Sequence, residues 1–429
     1  MDSKQEKSIF TLQILVMNIL IKNIKSLVGI RDASVRLLKG KELSELPFIE
    51  NAFLHITSGK ISAFGKMDDL SAYHEGNQSS INETIDASGR LVLPCYCDSH
   101  THLVFADTRE NEFIYKIQGL TYEAIAAKGG GILNSAKKLR DMPEELLLEK
   151  AMKRIEEIIS YGTGAVEIKS GYGLSYEAEL KMLRVIKKLK SIAAIPVKAS
   201  FLGAHAIPVE YKDNREGYLQ LLINRLLPEI AAEGLADYCD VFCDKGFFTP
   251  EETDRVLTAG WKYGLKPKIH ANQLAISGGV QAGVRNNAVS VDHLESMGQE
   301  EIDCLKNSTT IPTMLPSAAF FLRMQYPPAR QMIEAGLPVT LATDYNPGSS
   351  PSGRMGFVVS LACIQMKMTP EEAINAASLN GAAAMELSDL IGSITVGKKA
   401  NVIITKPVNS ITNIPYSFGN DVIERVLIG

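Results

Sequence analysis

Leu91-Val92-Leu93-Pro94-Cys95-Tyr96-Cys97-Asp98-Ser99-His100-Thr101-His102 is the stretch on which the fold turns. An apolar run, Leu91 to Tyr96, leads through Asp98-Ser99, a candidate closing turn, into two histidines separated by one residue. In extended chain, residues i and i+2 point to the same side, so both imidazoles face one point. Three further short apolar runs end at or near His205, His270 and His293, and another ends at Asp344. The runs are Leu91–Tyr96, 165–169, 197–203, 238–243, 266–270, 288–292, 309–314 and 339–343. Helical stretches separate most of them. Glu144 to Tyr161 is amphipathic, Tyr176 to Ser191 aligns Leu180, Leu183, Ile186 and Leu189, and Glu251 to Tyr263 follows Pro250 at a helix start. The helix after the fifth run is short. Strand–helix alternation predicts an α/β chain, a (β/α)8 TIM-like barrel, with an open doubly wound sheet as the alternative. The barrel is preferred because each candidate ligand falls at the C-terminal end of a strand, where barrels build their sites.

Outside the barrel the chain reads as short strands. Phe53-Leu54-His55-Ile56, Ser58-Gly59-Lys60 and Ile61-Ser62-Ala63-Phe64 form a hairpin signal. Gly392 to Lys398 leads into a strand over Asn401 to Thr405. The two ends are expected to build one smaller β-sandwich-like domain, from 1–88 and 389–429, flanking a barrel over 89–388. Residues 1–16 read as an extension, with Met17 as the alternative start. Lys4 and Lys7 precede an apolar stretch from Ile9 to Ile21, but Gln13 and Asn18 interrupt it and Lys22 closes it. That is too polar for a membrane span and lacks a cleavage site. A strand over 14–24 is expected instead, and a cytoplasmic location.

The 429 residues carry 45 basic and 49 acidic side chains, net charge −4, with no basic run of the kind nucleic acid demands. Six cysteines make no disulfide scaffold. Cys95, Cys97, Cys239 and Cys243 fall in or beside expected strands and read as small buried hydrophobes. Gly129-Gly130-Gly131 lacks the lysine and hydroxyl of a phosphate loop and reads as a flexible segment at the barrel mouth.

His100, His102, His270 and Asp344 together read as a cation site. Three imidazoles and a carboxylate leave a metal room for water. Each has an ordinary alternative: a histidine pair at a core edge, a buried core histidine, or an aspartate in the turn before Asn346-Pro347-Gly348. All of them in barrel register at once favours the metal.

These residues resemble the amidohydrolase superfamily of metal-dependent barrels, whose pattern is His-x-His after strand one, later strand-end histidines and an aspartate after strand eight. The carrying segments are 98–109, 129–132, 167–174, 201–208, 290–294 and 342–350, and the likeness runs from about residue 17 to the end. Within the superfamily the chain is most similar to the enzymes of histidine degradation that open the lactam ring of 4-imidazolone-5-propanoate to N-formimidoyl-L-glutamate. The narrow signals are Lys169-Ser170-Gly171-Tyr172-Gly173 and Thr343-Asp344-Tyr345-Asn346-Pro347-Gly348-Ser349.

The resemblance implies one divalent ion, zinc or iron, on His100, His102, His270 and Asp344. It leaves Lys169 as a structural or wall residue rather than a carboxylated bridge. Asp344 is the expected proton carrier, and His293 hydrogen-bonds the nucleophile or oxyanion. The plainer alternative for His293 is a structural histidine held by Asp292. Arg109 would clamp the substrate carboxylate, against the bland reading of a surface arginine paired with Glu110 or Glu112. Tyr172 and His205 would contact the ring, and Asn346, Gly348 and Ser349 the amino-acid end of the product. Many relatives carry glutamate where this chain has Gln273, which cannot act as a base but can hydrogen-bond the ring. A deaminase or another cyclic amidase acting on a small acidic heterocycle is the competing reading, and a non-catalytic binding barrel a third. Expected partners are a small-molecule substrate and a second copy in a homodimer, without nucleic acid or membrane.

Overall fold

The computed structural model describes residues 18–76, 81–120 and 130–429. The proposed extension over 1–16 and Gly129 lie outside them. Fifteen strands are formed among the described residues: β1 (Asn18–Val28), β2 (Phe48–Thr57), β3 (Lys60–Lys66), β4 (Glu83–Asp86), β5 (Leu91–Pro94), β6 (Tyr96–Thr101), β7 (Thr163–Lys169), β8 (Val197–Ala204), β9 (Tyr238–Cys243), β10 (Lys266–Ala271), β11 (Ser290–His293), β12 (Ile311–Met314), β13 (Thr340–Leu341), β14 (Val402–Thr405) and β15 (Ile423–Leu427).

Strands β6 to β13 form one eight-stranded sheet in sequence order, each neighbouring pair parallel. The ends of this sheet meet. Asp344 N donates to His100 O at 3.0 Å and His102 N to Tyr345 O at 2.9 Å, so the chain after β13 closes on β6. Buried Asp98 fastens the seam from within, accepting from Thr343 N at 3.0 Å and Thr343 Oγ1 at 2.6 Å. The expected turn at Asp98-Ser99 is therefore corrected: both residues lie inside β6.

Helices pack the outside as their apolar spacing requires. The helix Glu144–Ser160 buries Leu147, Ala151, Ile155 and Ile158. Tyr176–Ile192 starts at Ser175, whose side chain accepts from Ala178 N, and buries the leucine–isoleucine face read from the sequence. Pro250–Lys262 starts with a reciprocal Thr249–Glu252 capping box. Gly279–Arg285, after β10, is short as expected.

The second sheet has seven strands in the order β15-β14-β5-β1-β2-β3, with β4 beside β1, so both ends of the chain build it. Its hairpin joins β2 to β3 through Ser58 (φ 50°) and Gly59 (φ 73°), the left-handed pair that suits right-twisted strands. Ile19, Ile21, Leu54, Val92 and Val402 share its core. Here the expectation for the decisive stretch needs correcting. Leu91–Pro94 pairs with β1 and β14, not with the barrel. The chain passes between the sheets at Cys95, and the first barrel strand begins at Tyr96. One continuous apolar run thus serves two sheets, and His100 sits inside the barrel strand rather than after it.

Candidate metal centre and substrate cavity

The candidate residues converge at the C-terminal ends of the barrel strands. His100 is in β6 and His102 just beyond it; His205 follows β8, His270 is in β10, His293 ends β11 and Asp344 follows β13. His293 (φ 87°), Leu294 (φ 69°) and Asp344 (φ 56°) have left-handed backbones, a costly conformation for such residues that turns them off their strands. The backbone bonds Leu294 N to Ala271 O (3.1 Å) and Asp344 N to His100 O (3.0 Å) hold those turns.

One nitrogen each of His100, His102 and His270 lies within a 4.8 Å group, and His100, His293 and Asp344 form a second such group. His102 Nε2 faces His270 Nε2 at 3.4 Å. Asp344 Oδ1 is 3.6 Å from His100 Nε2 and 3.7 Å from His102 Nε2. The outer nitrogens of two of the rings are engaged: His100 Nδ1 donates to Asp292 Oδ2 at 2.7 Å and His270 Nδ1 to Asp240 Oδ1 at 3.1 Å. That fixes the tautomers and leaves each Nε2 lone pair pointing inward. His100 Nε2 is buried with no hydrogen-bond partner among the described residues. Burial, then nearby Lys169 and the other imidazoles, pushes His100 and His270 well below the ordinary histidine range; His102 falls for the same reasons. Neutral, inward-facing imidazoles with an orphaned acceptor are what a divalent cation requires, so the residues fit one.

Asp344 is pushed up to about 6 by burial, against the pull of His293 and its hydrogen bonds from Ser349 and Asn346. Ser349 Oγ donates to Asp344 Oδ2 at 3.1 Å. Burial alone would depress His293, but Glu295, 3.4 Å from its Nδ1, together with Asp344 and Asp292 outweighs it and raises the ring. Asp292 therefore holds His100, and the partner of His293 is Glu295.

Lys169 is fully buried among Glu167 (2.7 Å), Asp240 (2.8 Å) and Asp292 (3.3 Å). Burial opposes its charge, but these carboxylates prevail and push it above the ordinary lysine range. An ammonium so held is a poor candidate for carboxylation, which needs the neutral amine.

A cavity of about 610 Å³ opens beside this cluster, lined by Arg109, Tyr172, His205, Gln273, Asn346, Gly348 and Ser349 among others. His205 Nδ1 donates to Gly171 O at 3.0 Å, its ring stacks on His102 with centroids 5.4 Å apart, and burial pulls it down to about 4. Tyr172 stands edge-on to both rings. Arg109 is ion-paired with Glu112, as the plainer reading had it, but it is largely buried rather than on the surface, and it lines the cavity. Asn346 is taken up by its turn: Oδ1 accepts from Gly348 N (2.7 Å) and Ser349 N (2.8 Å), and Nδ2 donates to Asp344 O. Gly348 is backed against Arg109, and a Cβ there would collide with the guanidinium.

Sequence reasoning missed Lys116, whose Nζ donates to Gly348 O at 2.9 Å, and Arg323, both on the cavity wall. It also missed Asp240 and Glu295 as partners of the imidazoles, and gave Asp292 to His293 where it holds His100. The signal was present for two of them: Asp240 and Asp292 are charges inside otherwise apolar runs.

The Amidohydrolase family model matches residues 91–429. The barrel with its strand-end histidines and the aspartate after β13 is thus that of an amidohydrolase. Curated relatives include imidazolonepropionases of Flavobacterium johnsoniae (58% identical, 95% of this chain and 98% of that one), Christiangramia forsetii (54%, 96% and 99%) and Geobacillus thermodenitrificans (41%, 95% and 96%). The chain belongs to the imidazolonepropionase family within the amidohydrolases. Solved structures of similar fold include an adenosine deaminase from Xanthomonas campestris (16% identity, 96% of this chain and 92% of that one, TM-score 0.66). Another is the guanine deaminase of E. coli (15%, 96% and 97%, TM-score 0.71). At such identities the likeness shows the fold alone. No helix among the described residues is long and apolar enough to cross a membrane.

Proposed function

We propose that this chain hydrolyses 4-imidazolone-5-propanoate to N-formimidoyl-L-glutamate, using one zinc or iron ion held by His100, His102, His270 and Asp344. The observation that carries this is the convergence of three inward-facing neutral imidazoles and Asp344 beside a cavity that presents Arg109. When bound, the cation supplies a water acidified toward neutral pH and polarises the ring carbonyl. Arg109 pairs with the propionate through two N–H donors and sets the ring's depth. Tyr172 and His205 pack the ring, and Gln273 hydrogen-bonds its polar edge. Asp344 takes the proton of the attacking water and returns it to the ring nitrogen as the C–N bond breaks. His293, raised by Glu295, donates to the oxygen on which negative charge develops. Asn346, Gly348 and Ser349 hold the turn that aims Asp344 and offer donors to the product's amino-acid end.

We assign the small domain to 1–88, with 1–16 set apart as an extension, and 389–429, joined by Leu91–Pro94 of its sheet, and the barrel to the chain from Tyr96 to 388. A homodimer in the cytoplasm is the expected working form, from the family likeness. The test is incubation of metal-loaded protein with freshly prepared imidazolone propionate, following loss of its ultraviolet absorbance and appearance of the formimidoyl product. Ammonia release in place of ring opening would support the deaminase reading and overturn this one.

A further inference from the structure

Barrel interiors are ordinarily filled with branched apolar side chains. This one holds five fully buried charges below the histidines: Glu167, Lys169, Asp240, Lys268 and Asp292. Burying ions costs several kcal/mol each unless every charge is paired, so the arrangement calls for a reason beyond filling space. Its geometry supplies one. Lys268 Nζ pairs with Glu167 Oε2. The other oxygen of Glu167 accepts from Lys169 Nζ at 2.7 Å and from Ser200 Oγ at 2.6 Å. Lys169 in turn spans Asp240 at 2.8 Å and Asp292 at 3.3 Å. Those two carboxylates are the ones that receive His270 Nδ1 and His100 Nδ1. An unbroken chain of ion pairs and hydrogen bonds thus runs from the barrel floor to two of the inward-facing imidazoles.

We propose that Lys268, which does not line the cavity, is a positioning residue for the metal-binding histidines: by holding Glu167 it lets Lys169 bridge Asp240 and Asp292, and so fixes the rings of His270 and His100. This rests on the reading of those histidines as cation ligands. Without Lys268, Glu167 Oε2 loses its ammonium partner and competes harder for Lys169. Lys169 is drawn toward β7 and away from the two aspartates, which are then free to shift. The imidazoles lose the alignment of their Nδ1–H donors, and their Nε2 lone pairs no longer converge. Partners one step outside the ligands are commonly worth about 10- to 100-fold in metal affinity.

The test uses the full chain stripped of metal, with zinc ion as the probe. Zinc affinity is measured by competition with a chromophoric chelator, and ring tautomers by imidazole nitrogen NMR of the metal-free protein. Lys268→Met, which acts through Glu167, Lys169 and the two aspartates, is expected to weaken zinc severalfold, less than the loss of a direct partner of the ligands, and to turn the Nδ1–H signals of His100 and His270 into tautomer mixtures. The double variant Glu167→Gln/Lys268→Met removes the unpaired charge and is expected to recover most of both. Ser200→Ala, a small change at the same carboxylate, is expected to give a severalfold loss and decides the matter if Lys268→Met does not fold. Zinc affinity within twofold of wild type with unchanged ring signals would overturn the proposal, as would a double variant no better than the single. If wild-type protein takes up neither zinc nor ferrous iron, the metal reading fails instead, and the metal-free ring spectra still decide the positioning role.

Discussion

Replacing Arg109 by methionine isolates the contribution of the carboxylate clamp. Its side chain is 13% exposed and is paired with Glu112, itself 8% exposed. A substrate carboxylate arriving there meets a guanidinium already partly neutralised, so a full Coulomb attraction of about 4 kcal/mol at 4 Å in a medium of intermediate dielectric is an upper bound. Hydrogen bonds to charged groups contribute about 1.5–3 kcal/mol each. A net loss of about 3 kcal/mol follows from the two together, or roughly a hundredfold in kcat/KM. Arg109→Met also leaves the Glu112 carboxylate with Gly131 N, 3.0 Å away, as its remaining hydrogen-bond donor among the described residues, which costs stability. Arg109→Met/Glu112→Gln removes that complication. The assay is steady-state ring opening of the propionate substrate and of its propionamide analogue, which keeps the ring and lacks the charge. The double variant should lose about a hundredfold on the acid and nearly nothing on the amide. Equal losses on both substrates would show that Arg109 supports the cavity wall rather than reading the carboxylate.

Asp344→Asn keeps the shape of the site but cannot carry the proton and should lose nearly all turnover, whereas Gln273→Glu, adding a base that the acid–base scheme does not need, should keep substantial activity; steady-state kinetics on folded, metal-loaded variants decide both. Gly348→Ala drives a methyl into the Arg109 guanidinium, so KM should rise several-fold with little change in melting temperature; an unchanged KM would place the clamp elsewhere. Burial, with Arg36 nearby, lowers Lys398 to about 8. Between that pH and the ordinary lysine range the unfolded chain holds a proton that the folded one has released, so stability rises with pH across this window. Denaturant titrations should show wild type gaining on Lys398→Met from pH 8 upward, and parallel curves would refute the shift.

Much of the barrel and its mouth was legible because strand ends carry their chemistry in the sequence. His270 and Asp344 each close an apolar run, and a parallel barrel gathers such ends at one rim. The first strand was misread for the same reason that it was found. Leu91 to Tyr96 is uniformly apolar, and nothing in its composition marks the change of sheet at Cys95; only pairing with β1 and β14 does so. Asp98 looked like a turn residue because aspartate in an apolar run is costly unless paired, and its partner Thr343 lies far away in sequence. The ion chain under the site was hidden likewise. Glu167 and Lys268 alternate with apolar neighbours as a half-exposed strand would, and their burial depends on closure of the barrel. Lys116 reaches the cavity from the helix Glu110–Ile117, where spacing alone cannot distinguish a cavity lysine from a solvent-facing one.

Anomalous diffraction at the zinc or iron edge, on crystals of the metal-loaded protein, reaches the centre directly. One peak is predicted, about 2.0–2.2 Å from the Nε2 atoms of His100, His102 and His270 and from a carboxylate oxygen of Asp344. A peak elsewhere, or one from which any of these four side chains is turned away, would contradict it.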